Sequence, residues 1–514
     1  MVIEQLIALM RDSKDTEVQQ HCVLALSNLM CHAPSHGAVI GAGAIAVFKD
    51  LCASFICGAR SVQTEFTCSC CVTAFFNMSS VAESCARMAA AGVAETLVLI
   101  LRDDNNECQP QQVSLAARTM CAAALGNLTR VALLDDADAD AAVSPLVRLL
   151  DQGELQRVAG AMFNLGKGAA GAARCIKMME CGIAGALVRL AQLHCGPGHR
   201  TVLLPLVQIA CLACRLSEQQ PCRAELASAD GFMQVLLLLA RYGDTTVQRN
   251  VVTVLRNFSC EEPLRVQLVH THGVVHTLVT LSSQHDEGVR QSCAAAFCNL
   301  ACDHACHREL VEGGAVGALV ILGLIASSSE ETEKLCVRAL FNLLGNDDTR
   351  ARVQQDGAPW ALAAMCKLQD PQIHYVCATA FCNLATEEGG RKCLMAPGTL
   401  ASVLRVARKA RVLETQRTCA KTLFNLILEP RHQGELVAKG VVEVMRLLMG
   451  DMSDHVRNRF CAMGLCLLSQ FHVELDHDDE ARAEIMHTKA LHVITAPSLL
   501  QDDEFQYVAT IATN

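Results

Sequence analysis

Apolar residues along this chain recur at the spacing of one helix face, and each such stretch ends at a polar or glycine-marked break. The stretches are copies of one another. LALSNLM ends at Met30, TAFFNMS at Ser79, AALGNLT at Thr129, GAMFNLG at Gly166, TVLRNFS at Ser259, RALFNLL at Leu344, TAFCNLA at Ala385 and KTLFNLI at Ile427. The shared residue is Asn28, Asn77, Asn127, Asn164, Asn257, Asn299, Asn342, Asn383 or Asn425, and two degenerate copies put Arg215 and Leu467 in its place. From Arg215 onward the copies lie 41 to 43 residues apart, a period that marks stacked supersecondary units.

A second marker runs in phase with the first. A glycine opens an apolar run 15 or 16 residues after most of these positions, at Gly43, Gly92, Gly231, Gly273, Gly314, Gly357, Gly398 and Gly440; Gly182 lies 18 after its Asn, and Ala142 takes the place in the third copy. The runs that follow, such as VVHTLVTL and VVEVMRLL, are apolar at helical spacing. One unit therefore reads as a short first helix such as PLRVQLVHT, a glycine turn, a middle helix of about ten residues, a polar turn, and a longer third helix ending near the Asn motif.

The motif pair, at a period near 42 residues, resembles the armadillo repeat, the unit of β-catenin and importin-α. The resemblance covers nearly the whole chain. It implies an all-α, right-handed superhelical solenoid of about eleven three-helix units plus a partial terminal one, with the third helices lining a concave groove. Stacking would bury each unit's apolar faces against its neighbours in one continuous core. The expected boundaries are 1–470 for the eleven repeats, 471–490 for an acidic insertion around HVELDHDDEARAE, and 491–514 for the partial repeat. Terminal repeats need a polar cap, so the chain is expected to be a fragment or to have its ends covered. Three early units carry extra residues between middle and third helices, around CGARSVQ, DDNNECQPQ and HCGPGHR.

Composition narrows the function without naming it. The chain of 514 residues is 51% hydrophobic but only 4% aromatic, which suits close-packed helices better than sheets. A net charge of −10 argues against nonspecific nucleic-acid binding. The longest apolar run, Gly313 to Ala326, is broken by glycines and falls short of the roughly 20 residues of a membrane span, so no membrane insertion is expected. Twenty-nine cysteines with no secretory start point to free thiols in a reducing, cytoplasmic setting, with nucleus or cilium as further sites. There is no GxxxxGK[ST], HExxH or GxSxG, so neither an enzyme, a cofactor nor a small-molecule substrate is expected.

The third-helix face is the candidate site. Residues four and eight before the motif Asn share its face. In the first four units these are neutral: Gln20 and Leu24, Ser69 and Thr73, Thr119 and Ala123, Gln156 and Gly160. In the last six they are Arg249 and Thr253, Gln291 and Ala295, Lys334 and Arg338, Tyr375 and Thr379, Arg417 and Lys421, Arg459 and Met463. Six of these twelve are basic and none acidic, in a chain that is acidic overall. Cations beside amides suit an extended acidic segment of a partner protein, the amide bonding backbone and the cations pairing with carboxylates or phosphates. The resemblance assigns the backbone-holding role to Asn257, Asn299, Asn342, Asn383 and Asn425.

Other readings stay open. The same Asn side chains could instead bond neighbouring helices, with the cations merely solvated. A structural part of a cytoskeletal, ciliary or vesicle-associated complex would use the convex face and repeat edges. An import adaptor for basic peptides would carry Trp one turn before the Asn, yet the single Trp, Trp360, follows Pro359 at the start of a middle helix. Finally, AFCNLACDHACH holds Cys302, His304, Cys306 and His307 in a compact set of metal-ligand types. Its sibling AFCNLATEEGGR has none of the four, so Asn299 is the informative residue there and no metal is expected.

Overall fold

At the turn between first and middle helices the backbone enters the left-handed region, at φ between 66° and 94°, at Gly43, Gly92, Gly182, Gly231, Gly273, Gly314, Gly357 and Gly440. A side chain there would meet the following carbonyl, which is why glycine recurs at the repeat period. Two copies depart. With Ala142 in place of glycine the turn does not form, and one continuous helix, Asp136–Asp151, spans what is elsewhere two. Gly398 lies inside Pro397–Lys409, whose N-cap is Ala396, so it marks the start of the apolar run but not a turn.

The computed structural model describes residues 2–58, 61–102, 113–131, 134–195, 203–325, 328–449 and 454–474. The partial repeat 491–514, the acidic insertion beyond Glu474 and the centres of the three early insertions lie outside these residues. Among the described residues there are 31 α-helices and no strand. The chain divides into two compact units, Met1–Phe258 and Ser259–Asn514.

In the second unit the first helices are Glu262–His270, His307–Glu312, Asp347–Gln355, Glu388–Leu394 and Pro430–Ala438. The middle helices are Val274–Ser282, Ala315–Leu324, Ala358–Met365, Pro397–Lys409 and Val441–Leu448. The third helices are Glu287–Leu300, Glu330–Leu344, Pro371–Ala385, Leu413–Ile427 and His455–Glu474. Each middle helix packs on the next middle helix and each third helix on the next third helix, giving layers with the core between them. The first unit repeats this plan, with third helices Thr16–Leu29, Val62–Ser79, Leu115–Arg130, Leu155–Leu165, Leu203–Glu218 and Thr245–Ser259. Among the described residues no single helix is long and apolar enough to cross a membrane.

The Asn motif sets the core register. Two residues before it stand Leu26, Phe75, Leu125, Met162, Leu255, Phe297, Leu340, Phe381 and Leu423, all buried, each removing about 1.5–3 kcal/mol worth of apolar surface from water. Six residues before it stand Cys22, Cys71, Cys121, Cys293, Cys336, Cys377 and Cys419, with Cys461 in the Leu467 copy, and all eight are buried. The other three copies carry Val158, Ile209 and Val251 there, also buried, so the position takes a compact apolar side chain and the thiol serves as one. Burial pushes the thiols of Cys121, Cys293, Cys419 and Cys461 up, that of Cys461 to about 12, and a hydrogen bond with Cys366 followed by burial does the same for Cys377, so they are packing groups rather than nucleophiles.

Candidate functional site

The motif carboxamides form a ladder between repeats. Asn257 Nδ2 donates to Ser217 Oγ at 3.0 Å, Asn299 Nδ2 to Ser259 Oγ at 3.0 Å and Cys260 Sγ at 3.4 Å, and Asn342 Nδ2 to Cys302 Sγ at 3.5 Å. Asn127 and Asn77 do the same toward Ser79 Oγ (2.9 Å) and Cys31 Sγ (3.4 Å). Each acceptor stands two or three residues past the motif of the preceding repeat, at the end of its third helix. Asn257, Asn299 and Asn342 thus use their amide N–H groups to join repeats, the alternative left open by the sequence. For Asn383 and Asn425 the corresponding residues of the preceding repeat are Leu344 and Gly345, and Ala385 and Thr386. The first three carry no side-chain acceptor, and Thr386 turns its hydroxyl back to Asn383 O at 2.6 Å. Both carboxamides are half-buried on the third-helix face, free of such a bond.

A second joint was invisible to periodic reading. Eight residues past the motif, a side chain on the first helix caps a carbonyl at the end of the preceding third helix: His36 on Met30 O (2.8 Å), Arg223 on Ser217 O (2.8 Å), Arg265 on Ser259 O (3.0 Å), His307 on Ala301 O (2.9 Å), Arg350 on Leu344 O (2.9 Å), Arg391 on Ala385 O (3.2 Å) and Gln433 on Ile427 O (2.9 Å). The residue types differ, but each is a long donor able to reach an orphan helix-end carbonyl. The signal was a donor at constant phase rather than a constant letter.

That joint decides AFCNLACDHACH. His307 Nε2–H donates to Ala301 O, which leaves Nδ1 bare and buried, and burial lowers its pKa. Cys302 donates its thiol to Cys298 O at 3.3 Å and accepts from Asn342, and Cys306 is fully buried, its thiol pushed up to about 12 by burial. His304 lies against the His307 ring with centroids 4.8 Å apart. Among the described residues these side chains do not converge on a point that would hold an ion.

The basic stripe divides in the same way. Lys334 Nζ bridges Asp370 (2.8 Å) and Glu330 (2.9 Å), and Arg417 bridges Asp454 (3.1 Å) and Glu414 (3.1 Å). Donating hydrogen bonds to Asp370 and Glu330 raises the Lys334 pKa, and accepting from Lys334 holds Asp370 below the usual carboxylate range. Asp370 and Asp454 precede the next third helix, so the two cations expected to face a partner instead tie consecutive repeats. Arg338 remains exposed, with one long contact to Gln372 Oε1 at 3.4 Å, and Lys421 is exposed with no ion pair among the described residues. Arg459 is half-buried on His455–Glu474; Arg249 is exposed on Thr245–Ser259 and, with Asn257, belongs to the first unit.

What the second unit does assemble is a pocket of about 440 Å³ on its third-helix face, lined by Tyr375, Thr379, Cys382 and Asn383 from Pro371–Ala385, Glu414, Arg417, Thr418 and Lys421 from Leu413–Ile427, and Val456 and Phe460. Tyr375, Asn383, Arg417 and Lys421 are four of the sequence-expected residues. Asn425 lies one turn beyond Lys421 on the same helix. Thr379 stood on the expected face, whereas Thr418 and the Phe460 wall were not singled out from sequence.

No protein-family model and no curated protein matches the chain. Solved structures do. A chain from work on a conserved phosphorylation switch that controls the interaction between cadherin and beta-catenin has a TM-score of 0.67 at 16% identity, over 99% of this chain and 98% of that one. An engineered protein of the Northeast Structural Genomics Consortium gives 0.58 at 21% identity, over 82% and 98%. A computationally designed armadillo repeat protein for modular peptide recognition is 22% identical with a TM-score of 0.41, over 47% of this chain and 99% of that one. At these identities the likeness is one of fold. Three-helix units in register, glycine turns between first and middle helices, and third helices packed side by side identify the protein's fold as an armadillo-repeat fold.

Proposed function

We propose that the protein is a non-enzymatic interaction scaffold that holds an extended acidic segment of a partner protein on the third-helix face of its second unit. The observation that carries this reading is the pair of carboxamides, Asn383 and Asn425, which among the described residues make no cross-repeat bond, beside Lys421, which among them has no ion pair. A carboxamide offers one donor edge and one acceptor, the pair that an extended peptide backbone presents. Lys421 and Arg338 supply charge toward side-chain carboxylates, while Tyr375, Val456 and Phe460 give the pocket apolar walls. Arg417 and Lys334 shape the surface but offer no free cation, each being held by two carboxylates of the protein. That a fold neighbour comes from work on a protein–protein interaction is consistent with a protein partner. The buried thiols suit a reducing compartment such as the cytoplasm.

The test is binding of a labelled acidic peptide, selected on the wild-type chain, to the double variant Arg338→Glu, Lys421→Glu. Reversal of both cations is expected to weaken binding at least about tenfold, and Asn383→Ala about fivefold or more. Unchanged affinity in the double variant would exclude the third-helix face as the working surface.

A further inference from the structure

In the second unit the residue preceding a third helix supplies its own oxygen ligand to the helix start. Asp286, Ser329 and Asp370 accept from the N–H groups of Val289, Thr332, and both Gln372 and Ile373. Before Leu413–Ile427 the residue is Val412, which has no oxygen to offer, and the 15-residue helix begins without a side-chain cap. The cation that should meet such an oxygen is missing too. Lys334 reaches Asp370 and Arg417 reaches Asp454, but the residue at the same register on Pro371–Ala385 is Tyr375.

Around this bare helix start lies a second pocket, of about 500 Å³, lined by Arg408 and Lys409 at the end of Pro397–Lys409, Arg411 on the turn, His374, Gln369 and Pro371 from the preceding repeat, and Thr415. No carboxylate lines it. The acids nearby are engaged: Asp370 with Lys334, Glu414 and Asp454 with Arg417, and Glu443, which feels Arg408, with Arg446 at 2.6 Å. Among the described residues Arg408, Lys409 and Arg411 have no ion pair. Independently of the charges, Thr415 is 2% exposed and its hydroxyl has no hydrogen-bond partner. A buried hydroxyl left unmatched at the floor of a cationic pocket marks a place for an acceptor oxygen.

We infer that this pocket is an anion site that takes the phosphate of a phosphorylated serine or threonine in the bound partner segment. Three cations, the first-turn N–H groups and the positive end of the helix dipole match a dianion with several acceptor oxygens better than a single carboxylate. The two pockets share the same two helices: His374 faces this one and Tyr375 the other, as do Thr415 and Glu414. A segment crossing the Asn383 face therefore passes the rim of the cationic pocket. The peptide part of this inference rests on the reading above; the phosphate part does not.

The test uses the full chain and three probes: inorganic phosphate, a short phosphoserine peptide with its serine counterpart, and vesicles containing anionic lipid. Calorimetry is expected to show phosphate and phosphopeptide binding to wild type, with the serine peptide at least about tenfold weaker. Val412→Asp supplies the missing internal oxygen. It should raise the melting temperature yet lower affinity for both phosphate probes at least about tenfold, a combination that simple damage would not produce. Arg411→Glu should lower the same affinities without the thermal gain. The Arg338→Glu, Lys421→Glu double variant should still bind inorganic phosphate, so a failure of the acidic-peptide reading is seen separately. Equal phosphate binding by wild type, Val412→Asp and Arg411→Glu would overturn the site, as would no phosphate binding at all. Vesicle binding without phosphopeptide binding, or no preference for phosphoserine over serine, would overturn its assignment to a phosphorylated partner.

Discussion

A carboxamide on this scaffold either joins two repeats or remains available, and the preceding repeat decides which. Asn257 is 6% exposed and donates to Ser217, so Asn257→Ala leaves a buried hydroxyl short of a partner and is expected to cost about 1–2 kcal/mol in chemical denaturation. Asn383→Ala breaks no such bond and should stay within about 0.5 kcal/mol of wild type. His307 gives a pH prediction. Burial holds its folded-state pKa below the ordinary 6.5, so the unfolded chain takes the proton more readily. Stability is then complete above the unfolded value and falls as pH drops below it toward the lower folded value. His432 shifts in the same direction through burial and through nearby Arg431. Arg265 and Arg350 hold the position of His307 in the flanking repeats, so His307→Arg should keep the carbonyl cap and flatten part of the loss between pH 7 and 5, measured as melting temperature against pH. The Asn register was legible from sequence because the letter repeats. Its partners were not, because serine and cysteine alternate as acceptors some 40 residues earlier.

The element scale shows where a repeat rule stops applying. Glycine at the first-to-middle turn was readable as punctuation, but only the backbone tells which copies use its conformational freedom. Gly273 sits at φ 92°, so Gly273→Ala should destabilise by about 1–2 kcal/mol. Ala142 occupies the matching place inside a continuous helix, so Ala142→Gly, although it restores the consensus letter, should destabilise by about 1 kcal/mol. Paired denaturation curves of the two variants check both signs. Helix starts tell the same story for charge. Glu287 reaches forward to the Ser329 N–H at 3.0 Å and the Thr332 hydroxyl at 2.8 Å; burial opposes its charge, yet these bonds and Arg290 hold its pKa down to about 2. Lys334 and Arg417 looked like binding residues in sequence because their acceptors, Asp370 and Asp454, lie 36 and 37 residues away at the next helix start. Periodicity finds positions on a face; it does not show which of them are already satisfied.

For the molecule as a whole, the all-helical repeat fold was almost entirely legible, since eleven copies of one motif constrain each other. Of the candidate face, the spacing brought Tyr375, Asn383, Arg417 and Lys421 to one pocket, while the division into engaged and available groups depends on partners that lie far away in sequence. If an acidic segment binds there, its affinity should fall with added salt, with a slope reduced in the Lys421→Glu variant; titration at several ionic strengths measures it. Repeat arrays derive stability from their own units and from the joints between them. In the second unit the carboxamide joint is made at Asn299 and Asn342 and absent at Asn383 and Asn425. The stretch proposed to receive a partner thus lacks this one joint, although ion pairs such as Lys334 to Asp370 and Arg417 to Asp454 still tie its repeats. A bound segment that grips both amides would stand in for the missing joint, so occupancy should stiffen the array, slowing amide exchange in Pro371–Ala385 and Leu413–Ile427 and raising the force needed to peel those repeats apart.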